Sequence, residues 1–184
     1  MERIVKDNKI TVKHFNEHNV IKGSQHGFTI GRSCLTNLLE SFEEVWEDRW
    51  REAGRCNLSR FSQGSLPHKR LTKKLQAWGI RGQALTWVQS WLSGRRQKVG
   101  IGDKHSSRMT VLSGVPHGSM LGPLLFALFI NDINDEILSK ISKFADDTKL
   151  CRAVGNDQEA HILQENLKRM FRWLQDWKML ARLT

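Results

Sequence analysis

Two adjacent carboxylates, Asp146 and Asp147, stand in the run Phe144-Ala145-Asp146-Asp147. Neighbouring carboxylates repel, so ionising both is unfavourable unless a cation lies nearby. A hard divalent cation with oxygen ligands, Mg²⁺ or Mn²⁺, removes that penalty. The plain alternative is a solvated Asp-Asp turn, and the pair alone does not choose between them. Its surroundings do more. Residues 140–145 and 148–154 are short apolar-polar runs on either side, which predicts a tight hairpin with both acids at its tip. Upstream lies the glycine-rich stretch Ser113-Gly114-Val115-Pro116-His117-Gly118-Ser119-Met120-Leu121-Gly122-Pro123, then an apolar helix over residues 124–133. Gly114, Gly118 and Gly122 let backbone approach a ligand closely.

The elements that must carry these residues follow from spacing. Leu35, Leu38, Leu39, Phe42, Val45 and Trp46 recur at helical intervals behind an N-cap at Ser33. The acids Glu40, Glu43, Glu44, Glu47 and Asp48 read as that helix's solvated face rather than as a metal cluster. Leu71, Leu75 and Trp78 mark a second helix, ended by Gly79. Leu85, Val88, Trp91 and Leu92 mark a third, ended by Gly94. Trp87 and Trp91 could stack on bases, but their i, i+4 spacing fits core packing. Residues 95–101 and 108–112 predict two strands. Residues 157–179 predict one long helix with Ala160, Leu163, Leu167, Met170, Leu174 and Trp177 on its inner stripe. Residues 1–22 are a polar lead-in. Its His14 and His18 have a metal-ligand spacing without a third ligand.

The 184 residues carry a net charge of +10, and the excess is local. Between Glu52 and Asp103 there is no acidic residue, while Arg55, Arg60, Lys69, Arg70, Lys73, Lys74, Arg81, Arg95, Arg96 and Lys98 fall there. The remaining 19 basic residues (29 less those ten) balance the 19 acidic ones. A carboxylate-free basic interval suits a polyanion, most simply a nucleic-acid backbone, ahead of a merely solvated basic face. Lys69, Arg70, Arg95, Arg96 and Lys98 are the candidate phosphate contacts. No run is long enough to span a membrane, residues 121–130 included, and the N-terminus does not read as a signal peptide. Cys34, Cys56 and Cys151 are odd in number and scattered, which suits a reducing, intracellular setting, nucleus or cytoplasm, with no zinc site and no disulfide partner.

Together the S-G-V-P-x-G-S-x-L-G-P loop and F-A-D-D-T resemble the palm of a reverse transcriptase, in the variety carried by LINE-type (non-LTR) retrotransposons. Gln25-His26-Gly27-Phe28, Gly31-Arg32-Ser33, Pro67-His68-Lys69-Arg70-Leu71 and Trp91-Leu92-Ser93-Gly94-Arg95-Arg96 match that family in the same order. The resemblance implies an α+β fold: a palm and fingers fragment over residues 23–179, with an antiparallel palm sheet and packed helices, the thumb absent, and 180–184 a divergent tail. It implies Mg²⁺ or Mn²⁺ on Asp146 and Asp147 as catalytic and metal-binding residues. It implies a nucleotide and template pocket at Gly114, Pro116, His117, Gly118 and Phe144, and an RNA template, a DNA primer and deoxynucleoside triphosphates as partners. A glutamine usually stands where this chain has His117, which changes the reach of that hydrogen-bonding group.

One interval departs from the family, residues 53–66. The family has a strand there, resembling V-I-Y-L-D-F-S-K-A-F-D, whose aspartate is the second arm of the metal site. This chain has neither apolar alternation nor a carboxylate, so the strand is expected to be lost and the palm sheet to have a gap there. Counting back from Pro67 puts the aspartate's place at Leu58. A shifted reading frame gives C-N-L-S-R-L-Q-Q-G from permitted codons, coinciding with Cys56 to Arg60 and again at Gln63 and Gly64; on that alignment the aspartate overlaps Arg60. Coding DNA without a displaced frame would refute the slip. Either alignment predicts weakened metal binding and an impaired RNA-directed DNA polymerase. The alternative is a non-catalytic, basic, nucleic-acid-binding relic. The two palm motifs argue against an unrelated basic module.

Overall fold

A computed structural model describes residues 20–46, 54–116, 118–119 and 121–183. The fold is α+β, as the resemblance implies. Helix α1 (Cys34–Trp46) precedes strand β1 (Gly54–Phe61), a 3₁₀ turn at Gln63–Ser65, α2 (His68–Ala77) and α3 (Gly82–Leu92). Four two-residue strands follow: β2 (Arg96–Gln97), β3 (Gly100–Ile101), β4 (Lys104–His105) and β5 (Met109–Thr110). Then come α4 (Leu121–Phe129), a 3₁₀ turn at Asn131–Asn134, β6 (Lys140–Phe144), β7 (Asp147–Ala153), α5 (Asp157–Trp177) and β8 (Ala181–Leu183).

The palm sheet is antiparallel with strand order β6-β7-β1-β8. Its core side rests on α4, whose residues are buried except Pro123, and on the stripe Leu163, Met170 and Leu174 of α5. Phe126, Phe129, Leu125, Leu128 and Ile130 are almost wholly enclosed. α5 begins at Asn156, whose side chain accepts from the Glu159 N–H, and ends at Lys178 in the left-handed region. An N-cap and an αL stop are the ordinary terminators of such a helix.

Three expectations are corrected. The strand expected to be lost is present and internal: β1 pairs with β7 from Gly54↔Ala153 to Arg60↔Asp147 and with β8 through Ser59, Arg60 and Phe61. Ladders on both flanks hold a sequence with little strand propensity, because pairing and burial outweigh intrinsic preference. The tail beyond residue 180 supplies the fourth strand. The cysteines are not all unpaired: β1–β7 register sets Cys56 opposite Cys151, and a disulfide joins them, leaving Cys34 free and exposed.

The first helix also differs in detail. Leu35, Leu38, Leu39 and Phe42 are roughly half exposed rather than core. α1 is tethered instead through polar groups, with Asn37 Nδ2 donating to Ser142 Oγ (2.9 Å) and Lys149 Nζ to Ser41 Oγ (3.0 Å). The two strands expected over 95–101 and 108–112 break into two short ladders, β2–β5 and β3–β4. His14, His18, Glu47, Asp48, Glu52 and His117 lie outside the described residues.

Candidate active site

Strands β6 and β7 meet at Phe144↔Asp147, so the connecting turn is Ala145-Asp146. Asp146 is at the tip, and Asp147 is the first residue of β7. Ala145 has φ of +54°, a left-handed conformation in which a non-glycine residue is strained. The strain is held by Gln25. Its Oε1 accepts from the Ala145 N–H and from the Gly27 N–H, each at 2.9 Å, and its Nε2 donates to the Ala145 carbonyl at 3.4 Å. Residues 24–26 run beside β6, with His26 N–H donating to the Lys143 carbonyl (2.8 Å) and Lys143 N–H to the Ser24 carbonyl (2.7 Å). A side chain at Gly27 would place its Cβ 2.5 Å from the Ala145 nitrogen, so only glycine fits that crossing. The Gln-His-Gly segment thus sets the backbone on which the two acids stand. His26 Nε2 lies 2.6 Å from Glu40 Oε2, so Glu40 is engaged rather than merely solvated.

Opposite the hairpin, β1 supplies an arginine. Arg60 faces Asp147 across the ladder and grips it with both ends of its fork: Nε to Oδ1 at 2.7 Å and Nη2 to Oδ2 at 3.2 Å. The bidentate hydrogen bond, then the charge of Asp147, holds the Arg60 guanidinium above its ordinary pKa. Asp146 Oδ1 accepts from Gln63 Nε2 at 3.4 Å, and the Asp146 carbonyl accepts from the Phe61 N–H at 2.9 Å. Both acids are therefore tied to β1 and to the turn after it.

That turn joins the glycine loop. Ser113 Oγ donates to the Gly64 carbonyl (2.8 Å), and Gly114 N–H to the Leu66 carbonyl (2.7 Å). Gly114 has φ of +84°, and a Cβ there would lie 2.9 Å from Gly64 Cα. Ser119 Oγ donates to the Pro116 carbonyl (2.9 Å) and accepts from the Gly122 N–H (3.0 Å), closing the loop before α4. Gly114 is thus linked to Asp146 through Gly64 and Gln63. Phe144 is in the same sheet-face cavity as Asp147. Lys69, Arg70, Arg95, Arg96 and Lys98 are elsewhere, on α2 and around β2, with Lys69, Arg96 and Lys98 exposed. The sheet-face cavity, about 480 Å³, takes instead Arg60, Lys149 and Arg182. Only the pairing register, not the sequence, brings those three together.

A two-cation centre needs carboxylates from both strands. Here β1 offers Arg60 and no acid, and both oxygens of Asp147 are engaged. Among the described residues no group of three or more His, Cys, Asp or Glu is placed to hold a metal ion. The donor set does not fit a pair of metal ions. No helix of the described residues is long and apolar enough to cross a membrane.

The sequence is similar to known proteins. The family model described as reverse transcriptase (RNA-dependent DNA polymerase) matches residues 4–183. The probable RNA-directed DNA polymerase from transposon X-element of Drosophila melanogaster is 33% identical over 98 residues, 50% of this chain and 11% of that protein. The RNA-directed DNA polymerase from mobile element jockey, of the same organism, is 32% identical over 101 residues, again 50% of this chain and 11% of the relative. The probable RNA-directed DNA polymerase from transposon BS is 31% identical over 99 residues, 49% of this chain and 11% of its own length. The matched segment therefore spans about a tenth of each relative.

Proposed function

Because the chain belongs to the reverse transcriptase (RNA-dependent DNA polymerase) family, we propose that it is palm and fingers of a polymerase from a LINE-type mobile element, with an impaired catalytic centre. The similarity to polymerases of Drosophila transposons supports that origin. By descent its substrates are deoxynucleoside triphosphates, a primer 3′-end and an RNA template. Asp146 and Asp147 are the surviving catalytic carboxylates.

The observation that carries the impairment is Arg60 standing in ladder register with Asp147, where a second-strand carboxylate is required. Nucleotidyl transfer asks the protein chiefly for positioning and for charge placed against the reacting phosphate. A guanidinium fixed on Asp147 supplies charge but cannot ligate a cation. The lost ligand matters more than the ion pair itself, since an exposed pair contributes at most about 1 kcal/mol. Each 1.4 kcal/mol of missing transition-state stabilisation slows the reaction about tenfold. The second reading, a nucleic-acid-binding domain without catalysis, is favoured by the basic interval and its exposed Lys69, Arg96 and Lys98.

Primer extension on an RNA template with Mg²⁺, then Mn²⁺, tests the proposal against an Asp146→Ala, Asp147→Ala double variant. The expected result is no extension above that variant from folded protein. Extension abolished by the double substitution would overturn the impairment.

A further inference from the structure

The face of the palm sheet turned away from the core carries a row of residues in register. Phe144 pairs with Asp147, Asp147 with Arg60, and Arg60 with Arg182. The next row on that face places Ser142 beside Lys149 and Lys149 beside Leu58. Both rows and Asn37 line the one cavity of about 480 Å³. Among the described residues that line it, three cations face a single carboxylate, and two of the cations, Arg60 and Arg182, are directly opposed on neighbouring strands. Like charges at that spacing destabilise a sheet unless an anion lies between them. Among the described residues neither Arg182 nor Lys149 has an acidic partner. The side chains of Arg60 and Asp147 are 66% and 51% exposed, so their pair is weak enough for a stronger anion to share the guanidinium. Phe144, 37% exposed, ends the row with an aromatic edge.

We propose that this cavity is a metal-independent seat for the backbone phosphate of a single-stranded nucleic acid, bridged by Arg60 and Arg182 with Lys149 beside them. The proposal rests on the nucleic-acid-binding reading above and adds where the strand lies and what neutralises it. Arginine forks suit a phosphate's paired oxygens, and a flat ring beside them suits an unstacked base. The phosphate supplies the anion that the opposed Arg60 and Arg182 require.

The test is fluorescence anisotropy of a short fluorescein-labelled oligouridine, in EDTA, over a series of salt concentrations. The full chain is expected to bind without divalent cations. Arg182→Gln is expected to weaken binding about tenfold, as one lost charge-assisted hydrogen bond does. It should also lower the salt slope by about 0.7. Arg182→Lys should keep most of the slope, and thermal melting confirms that each variant folds. Asp147→Asn is expected to tighten binding, because it frees Arg60 and removes the one negative charge. Three results would overturn the seat while leaving nucleic-acid binding intact: binding that needs Mg²⁺, weaker binding by Asp147→Asn, or salt slopes that follow Arg96→Gln and Lys98→Gln but not Arg182→Gln. Displacement of the oligonucleotide by equimolar pyrophosphate would also overturn it, as a small-anion site. No binding with or without metal would sink the underlying reading itself.

Discussion

Asp147 is gripped by Arg60 across the ladder, while Thr148, next along the strand, faces the core. Replacing Arg60 by Asp sets three carboxylates around the hairpin tip and removes the competing cation. Arg60→Asp is expected to bind Mn²⁺ measurably more tightly than the parent in isothermal titration, and unchanged affinity would show that the cation site is lost for another reason. Thr148 is buried, and among the described residues its Oγ1 has no hydrogen-bond partner. An unsatisfied buried hydroxyl destabilises, so Thr148→Val, which keeps the shape, is expected to stabilise by about 1 kcal/mol in a denaturant titration. The clamp residue responds in the other direction. Gln25→Ala leaves the Ala145 and Gly27 N–H groups buried without an acceptor beside a strained turn. A loss of roughly 2 kcal/mol is expected in the same titration.

At the scale of elements, the hairpin was legible because β6 and β7 alternate about an obvious turn, and α5 because its stripe recurs over many turns. β1 was not. Gly54, Arg55, Asn57, Ser59 and Arg60 give no strand pattern, and the two inward residues nearest the site, Ser59 and Phe61, share one face without announcing it. What makes the strand is register with β7 and β8, a tertiary property with no local signal. The same register accounts for the disulfide and for the Arg60–Asp147 pair, which scattered cysteines and a lone arginine could not reveal. α1 shows the converse: its apolar spacing was legible, yet Asn37 and Ser41 make the attachments while Leu35 and Phe42 remain exposed. The disulfide closes a span of 95 residues. A link of that span restricts the unfolded chain strongly, so its removal by Cys151→Ser is expected to lower stability by roughly 2–4 kcal/mol. Equal unfolding midpoints with and without reductant would show that the bond contributes nothing in solution.

Across the whole molecule, two lysines are buried in the core. Lys143 on β6 is enclosed and donates to the Ile130 carbonyl (3.2 Å) and Asn134 Oδ1 (2.7 Å). Lys74 on α2 is buried against Phe129, Trp173 and Trp177 and pairs with Asp132. Burial lowers Lys143 to about 7, helped by the nearby charge of Lys22, and lowers Lys74 to about 8 against the opposing pull of Asp132. In the unfolded chain both return to 10.5. Between those limits the unfolded state binds more protons than the folded one, so stability rises with pH from about 7 upward and levels off as pH nears 10.5. Below about 7 both ammonium groups are carried charged in the core, and the full penalty is present. The slope is at most about 1.4 kcal/mol per pH unit for each lysine. Denaturant unfolding from pH 7 to 9 is expected to show that rise, and Lys143→Met to remove more than half of it whatever it does to absolute stability. A slope unchanged by the substitution would mean that Lys143 stays charged in the folded core, held by the nearby charges of Asp132 and Asp135 rather than by the neutral Asn134 amide alone.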